Sequence, residues 1–202
     1  MKNSNKQVIG LMLCAIVLSA IMPLVVAEGE ITDADSGTVT FEITETVDIS
    51  FTTSNLDWGA GSVNSGEASA TLDSNASTVT GGSWNATSGG GELILENIGT
   101  EDVSLTLNSS DNASTLIDGS SSSFQWLVTD IGAGSCVNNT MTSFTEIDTS
   151  ITTVCDAFYA TAAKDDLKID FKLVIPSDTL LEGAQSATIT AIATEIVDYN
   201  SP

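Results

Sequence analysis

Asp166-Leu167-Lys168-Ile169-Asp170-Phe171-Lys172-Leu173-Val174-Ile175-Pro176 decides the fold class. Leu167, Ile169, Phe171, Leu173 and Ile175 recur at every second position, with Lys168, Asp170 and Lys172 between them, which is the pattern of a strand buried on one face. Pro176 lacks a backbone donor and ends the ladder. Ser177-Asp178 and Glu182-Gly183 supply turn chemistry before Ser186-Ala187-Thr188-Ile189-Thr190-Ala191-Ile192-Ala193-Thr194, a second alternating run. The two runs, from Asp166 to Val197, are predicted to pair as a hairpin at the centre of a sheet.

The same alternation recurs upstream. Val39, Phe41, Ile43, Val47, Ile49 and Phe51 share one parity between Thr38 and Thr52, interrupted by Glu45, which predicts one bent strand or two consecutive ones. Ala68, Ala70 and Leu72 mark a short strand. The stretch from Glu92 to Leu107 is predicted to be a second hairpin turning at Gly99, with Val103, Leu105 and Leu107 facing inward. The polar stretch from Asn108 to Ser123 holds Leu116 and Ile117 and has room for one helical turn. Phe124, Trp126 and Val128 then bring aromatic side chains to the core. Gly81-Gly82 and Gly89-Gly90-Gly91 flank Trp84, a segment too rich in glycine for a central strand. Trp58 lies in a Gly/Asn loop, where it either caps the core or offers a surface platform. The sum is an all-β, single antiparallel β-sandwich, jelly-roll or Ig-like, of about 8–10 strands.

Lys2 and Lys6 precede an apolar run from Val8 to Ala27, with Val25-Val26-Ala27 as a cleavage site, so residues 1–27 are expected to be a signal peptide or, uncut, a retained membrane anchor. Leu13 before Cys14 makes a poor lipid-attachment match. Residues 28–37 form an acidic leader and residues 38–202 the sandwich domain. The expected location is secreted and extracellular, at the cell surface. Beyond Ala27 stand all 27 acidic residues against three lysines, Lys164, Lys168 and Lys172. That balance repels nucleic acid, and it leaves membrane contact to the N-terminal segment alone. The surface is either a solubilising one or one that attracts calcium. Asp33-Ala34-Asp35-Ser36-Gly37 holds only a fragment of a calcium loop, so no cofactor is expected beyond a weak calcium interaction.

Histidine and arginine are both absent. His-dependent triads, H-E-x-x-H zinc sites and arginine clamps are thereby excluded, and no carboxylate pair stands out for glycosidase chemistry. No enzymatic activity is expected. Cys136 and Cys155, the two cysteines beyond the apolar run, are predicted to form a disulfide worth about 3 kcal/mol by loop-closure entropy. Sequons stand at Asn75, Asn85, Asn108, Asn112 and Asn138, in segments predicted as loops or strand ends, and N-glycosylation there is plausible in an extracellular protein.

Trp58-Gly59-Ala60-Gly61-Ser62-Val63-Asn64, Leu95-Glu96-Asn97-Ile98-Gly99, Phe124-Gln125-Trp126, Gly134-Ser135-Cys136 and Phe171-Lys172-Leu173-Val174-Ile175-Pro176-Ser177 together resemble small secreted β-sandwich surface proteins of archaea. More distantly, the plan is similar to the camelysin and TasA group of secreted jelly-roll proteins, which includes biofilm-fibre subunits. The resemblance implies an extracellular sandwich that assembles or coats, self-associating or joining other surface proteins. Metallopeptidase activity, described for some of that group, does not transfer to a chain without histidine. Strand addition, with the segment from Glu28 to Thr44 entering a neighbour's sheet, is one route to a filament; Lys164, Lys168 and Lys172 are candidates for the positive side of a subunit contact. The alternative is a glycan- or calcium-binding adhesion module using the Trp58 and Trp84 loops.

Overall fold

Alternating apolar side chains give this chain two antiparallel sheets whose inward faces share one hydrophobic core. The computed structural model describes residues 41, 44–86, 91–132 and 134–196. The signal or anchor segment, the acidic leader and its calcium-loop fragment all lie outside the described residues. Among the described residues there are eleven strands and one helical turn: β1 (Ile49–Thr53), β2 (Ser69–Asp73), β3 (Thr78–Thr80), β4 (Leu93–Asn97), β5 (Val103–Ser109), α1 (Ala113–Leu116), β6 (Ser123–Asp130), β7 (Cys136–Val137), β8 (Thr145–Glu146), β9 (Thr152–Phe158), β10 (Asp166–Pro176) and β11 (Ile189–Glu195). The count exceeds the expected eight to ten because it includes β7 and β8, two-residue strands between Gly132 and Cys155.

The larger sheet is built on β10. Along one side runs β6, from Leu167 opposite Asp130 to Val174 opposite Ser123, with β8 beyond it. The other side is shared. β4 pairs with the first part of β10, Asp166 to Ile169, and β2 with the last part, Lys172 to Pro176. β1 extends the sheet beyond β4, and β3 beyond β2. Where the partner changes, Ser74 bridges the gap: its N–H donates to the Phe171 carbonyl at 2.9 Å, and its Oγ accepts from the Phe171 N–H at 2.8 Å. The smaller sheet runs β11-β5-β9-β7.

Two expectations about pairing are corrected. β10 and β11 are not a hairpin, because β10 lies in the larger sheet while β11 pairs with β5 in the smaller one. β4 and β5 likewise belong to different sheets. At the second crossing Gly99 N–H donates to the Asp48 carbonyl and Thr100 N–H to the Thr46 carbonyl, so the chain still pairs beside β1 before it leaves the sheet. A Cβ at Gly99 would stand 2.4 Å from the Thr46 oxygen, which reserves the position for glycine. Asn97, 2 % exposed, spans the crossing: its Nδ2 donates to the Glu101 and Phe158 carbonyls at 3.0 and 3.1 Å. In both cases the chain arches from one sheet to the other, as a sandwich requires of some of its connections.

Of the predicted strand from Thr38 to Thr52, residues 38–40, 42 and 43 lie outside the described residues; among the described ones Ile49–Thr53 forms a strand, and Val47, though in phase, is exposed. Its partner β4 ends at Asn97, so the ladder ahead of Ile49 is limited to the contacts with residues 99 and 100.

Trp126, Phe158, Leu72, Leu95, Leu105, Leu107, Leu167 and Ile169 are the largest apolar side chains sealed in the core, together with Met141. Phe124 and Phe171, from neighbouring β6 and β10, stack with centroids 5.9 Å apart. Adjacent Val154 and Cys155 both point inward because the β5–β9 register shifts there, a bulge that turns one extra residue to the core. Cys155 is bonded to Cys136, with Cα atoms 5.3 Å apart, so the disulfide ties β9 to its edge neighbour β7. The helical turn forecast between Asn108 and Ser123 is α1, started by a capping box in which Asn112 Oδ1 accepts from the Ser114 and Thr115 N–H groups.

Candidate functional site

The sequence places Lys168, Asp170 and Lys172 at alternate positions on β10, facing away from the apolar set. Solvation of all three was the natural expectation, and for Asp170 it fails. This carboxylate is fully buried, opposite the nearly buried Leu127 of β6. It is held where β2 gives way to β4. Ser74 Oγ donates to Asp170 Oδ1 at 3.2 Å, and Lys168 Nζ lies 2.9 Å from Oδ2. The second contact has an ion-pair distance without hydrogen-bond geometry, leaving Oδ2 as the one buried side-chain oxygen or nitrogen without a hydrogen bond among the described residues. Lys168 Nζ also donates to Asn75 Oδ1 at 3.2 Å.

A second ion pair lies alongside. Lys172 Nζ stands 3.1 Å from Asp73 Oδ2 and 4.3 Å from the centroid of the Phe144 ring. Lys164 lies over Tyr159, 5.5 Å from its ring centroid. The lysines considered as a subunit contact therefore have partners within their own domain. A polar cluster results in which Asp73, Asn75, Lys168 and Lys172 cover the buried Ser74 and Asp170, assembled from β10 and from the end of β2 with the turn that follows it.

Asn75 is exposed in that turn, and Asn85 and Asn138 are exposed as well. Asn138 Nδ2 donates to Asp156 Oδ2 at 2.7 Å. Asn108 sits inside β5, half-buried, where its Nδ2 donates to the Thr149 carbonyl at 3.0 Å, and Asn112 is committed to capping α1. Asn75, Asn85 and Asn138 are thus exposed, whereas Asn108 and Asn112 are half-buried.

No protein family, curated protein or solved structure matches the chain.

Trp58 and Trp84, considered as a ligand platform, come together in one ribbon. Asn85 N–H donates to the Trp58 carbonyl, Ser83 N–H to the Ser62 carbonyl and Asn64 N–H to the Gly81 carbonyl. Both rings are half-buried against the core. Gly61 and Gly82 make room for Trp84, since a Cβ at either would fall 2.3 or 2.8 Å from its ring atoms. An open recess of about 340 Å³ is lined by Ser69, Ser120, Ser121, Pro176, Ser177 and Asp178, among others. Asp178 is tied there by Ser120, whose Oγ donates to Oδ2 at 2.6 Å and whose N–H donates to Oδ1 at 3.1 Å. Among the described residues no three Cys, Asp or Glu side chains cluster to hold a metal ion, and no helix is long and apolar enough to cross a membrane.

Among the described residues three carboxylates depart from ordinary titration. The Ser120 hydroxyl, followed by the Ser120 N–H, holds Asp178 below its usual range; the Ser150 hydroxyl and N–H do the same for Asp148. Glu101 is raised, first by partial desolvation and then by the charges of Glu45, Glu195 and Asp102. For Asp178 the depressed value means that the contact stabilises the fold above the unfolded carboxylate pKa of about 3.9 and is lost as pH falls through the lower folded value. Ser120→Ala is expected to return Asp178 toward the ordinary range. A carbon-detected NMR titration of the side-chain carboxylates checks this: an upward shift confined to Asp178 is the expected result, and an unmoved midpoint assigns the depression elsewhere.

Proposed function

We propose that this protein is a secreted structural component of the cell surface or of an extracellular filament or matrix, without enzymatic activity, assembled by β-strand addition. The observation that carries the proposal is the state of the sheet edges. β1 pairs only with β4, and β11 only with β5, so each sheet presents a strand with one row of backbone donors and acceptors unused by any other described strand. Such an edge is a template for a further strand, which gains affinity from main-chain hydrogen bonds and register from alternating side chains. The segment from Glu28 to Thr44 has alternating apolar positions at Val39, Phe41 and Ile43 suited to this role and stands four residues ahead of β1 in the chain.

Composition supports the same setting. A sandwich closed by a disulfide and preceded by a signal-like apolar run suits an oxidising, extracytoplasmic environment. A formal net charge of −22 keeps free subunits dispersed until a specific contact forms. Deleting residues 28–37 is expected to leave the β-sheet circular dichroism unchanged while abolishing polymers seen by negative-stain electron microscopy and light scattering. Unchanged filaments after the deletion would exclude the leader as the donor segment.

A further inference from the structure

We propose that Lys168 and Asn75 are joined by an intramolecular isopeptide bond, formed by the protein itself with Asp170 as the proton carrier. The chemistry requires an amine beside a carboxamide carbon and a buried acid touching the amine. At the junction of β2, β4 and β10 an amine is hydrogen-bonded to a carboxamide oxygen and in contact with a buried acid. Lys168 Nζ is 3.2 Å from Asn75 Oδ1, which places it against the Asn75 carboxamide, and 2.9 Å from Asp170 Oδ2. Asp170 is fully buried, and that same oxygen lacks a hydrogen bond, so it is free to take a proton. Ser74, itself 3 % exposed, fixes the other oxygen and precedes Asn75 in the chain, so one short segment orients both the acid and the electrophile.

The reaction is redox-neutral and needs no co-reactant. One ammonium proton passes from Lys168 Nζ to Asp170 Oδ2, and the freed amine adds to Asn75 Cγ, forming a C–N bond. A second proton moves from Nζ to Asn75 Nδ2, the Cγ–Nδ2 bond breaks and ammonia departs. The last proton stays on the new amide, while the ammonia takes up the proton held by Asp170 and leaves as ammonium. Lys168 and Asp170 are two apart on one strand and therefore share a face, which sets the amine beside the acid without a dedicated loop. The product would clamp the turn after β2 to β10 across a sequence separation of 93 residues.

Asn75 is also the first asparagine of a sequon, and its nitrogen cannot both carry a glycan and leave as ammonia. The full chain is therefore best produced in a host without N-glycosylation, reduced, digested at acidic residues and analysed by tandem mass spectrometry. The expected result is one branched species holding the Lys168 and Asn75 peptides, lighter than their sum by one ammonia, in nearly all molecules. Separate peptides at their sequence masses overturn the proposal. Lys168→Arg retains the positive charge and should fold, as judged by circular dichroism, with the peptides separate. Asn75→Asp, which supplies hydroxyl as the leaving group, should give a branched species lighter by water instead. A folded Asp170→Asn variant that still yields the branched species would overturn the role assigned to Asp170.

Discussion

Trp126→Ala is expected to destabilise the domain by about 3–5 kcal/mol, the range for removing a large aromatic side chain from a packed core. Trp126 is 1 % exposed and lies on β6, directly opposite Phe171 of β10. Phe171 in turn stacks on Phe124, so the indole is one wall of an aromatic group between the two longest strands of the larger sheet. Truncation leaves a void bounded by paired strands, which cannot close over it without breaking ladder hydrogen bonds. The expected cost is therefore toward the upper end. Equilibrium urea unfolding measures it as a lower midpoint at unchanged slope. Trp58→Ala is the internal comparison: its ring is only half-buried and sits in a loop ribbon that can adjust, so a smaller loss is expected. Equal losses at the two positions would contradict the distinction between core and cap.

Individual strands were legible because alternation reports which face is buried. β10, β6, β5 and β2 follow directly from Leu167, Trp126, Leu105 and Leu72 with their period-two neighbours. Pairing was less legible, since both sheets of a sandwich bury one face and alternation does not identify the neighbouring strand. The two expected hairpins failed for this reason. A subtler signal was present in the polar residues at inward positions. Ser74 continues the phase of Ala70 and Leu72, Asn97 that of Leu93 and Leu95, and Ser109 that of Val103, Leu105 and Leu107; all three are buried. Each satisfies backbone groups at a strand end, where the chain leaves its ladder. A small polar side chain in the inward phase thus marks a change of partner or of sheet. Met141 and Ile147, buried at 1 % and 3 %, carry no such signal, because no alternating run surrounds them. The candidate site was legible only as residue types, for the burial of Asp170 depends on Ser74, far away in sequence.

Removing the Cys136–Cys155 bond, by the paired substitution of both cysteines with alanine, is expected to lower stability by about 3 kcal/mol on the loop-entropy argument. The sequence separation is 19 residues, and the bond joins β9 to β7, a two-residue strand with few ladder contacts of its own. Between the cysteines the chain contributes Met141 and Ile147 to the core and β8 to the edge of the larger sheet. Loss of the bond should therefore free the ends of a segment that reaches both sheets, giving local opening before global unfolding. Alanine is preferable to serine at Cys155, which is fully buried beside Val154 and Phe158, because a hydroxyl there would add the cost of an unpaired polar group. Hydrogen exchange should show protection falling first across residues 134–158, while the Trp126–Phe171 pairing between β6 and β10 exchanges only with global unfolding. A uniform loss of protection would show instead that this segment and the β6–β10 ladder open as one unit.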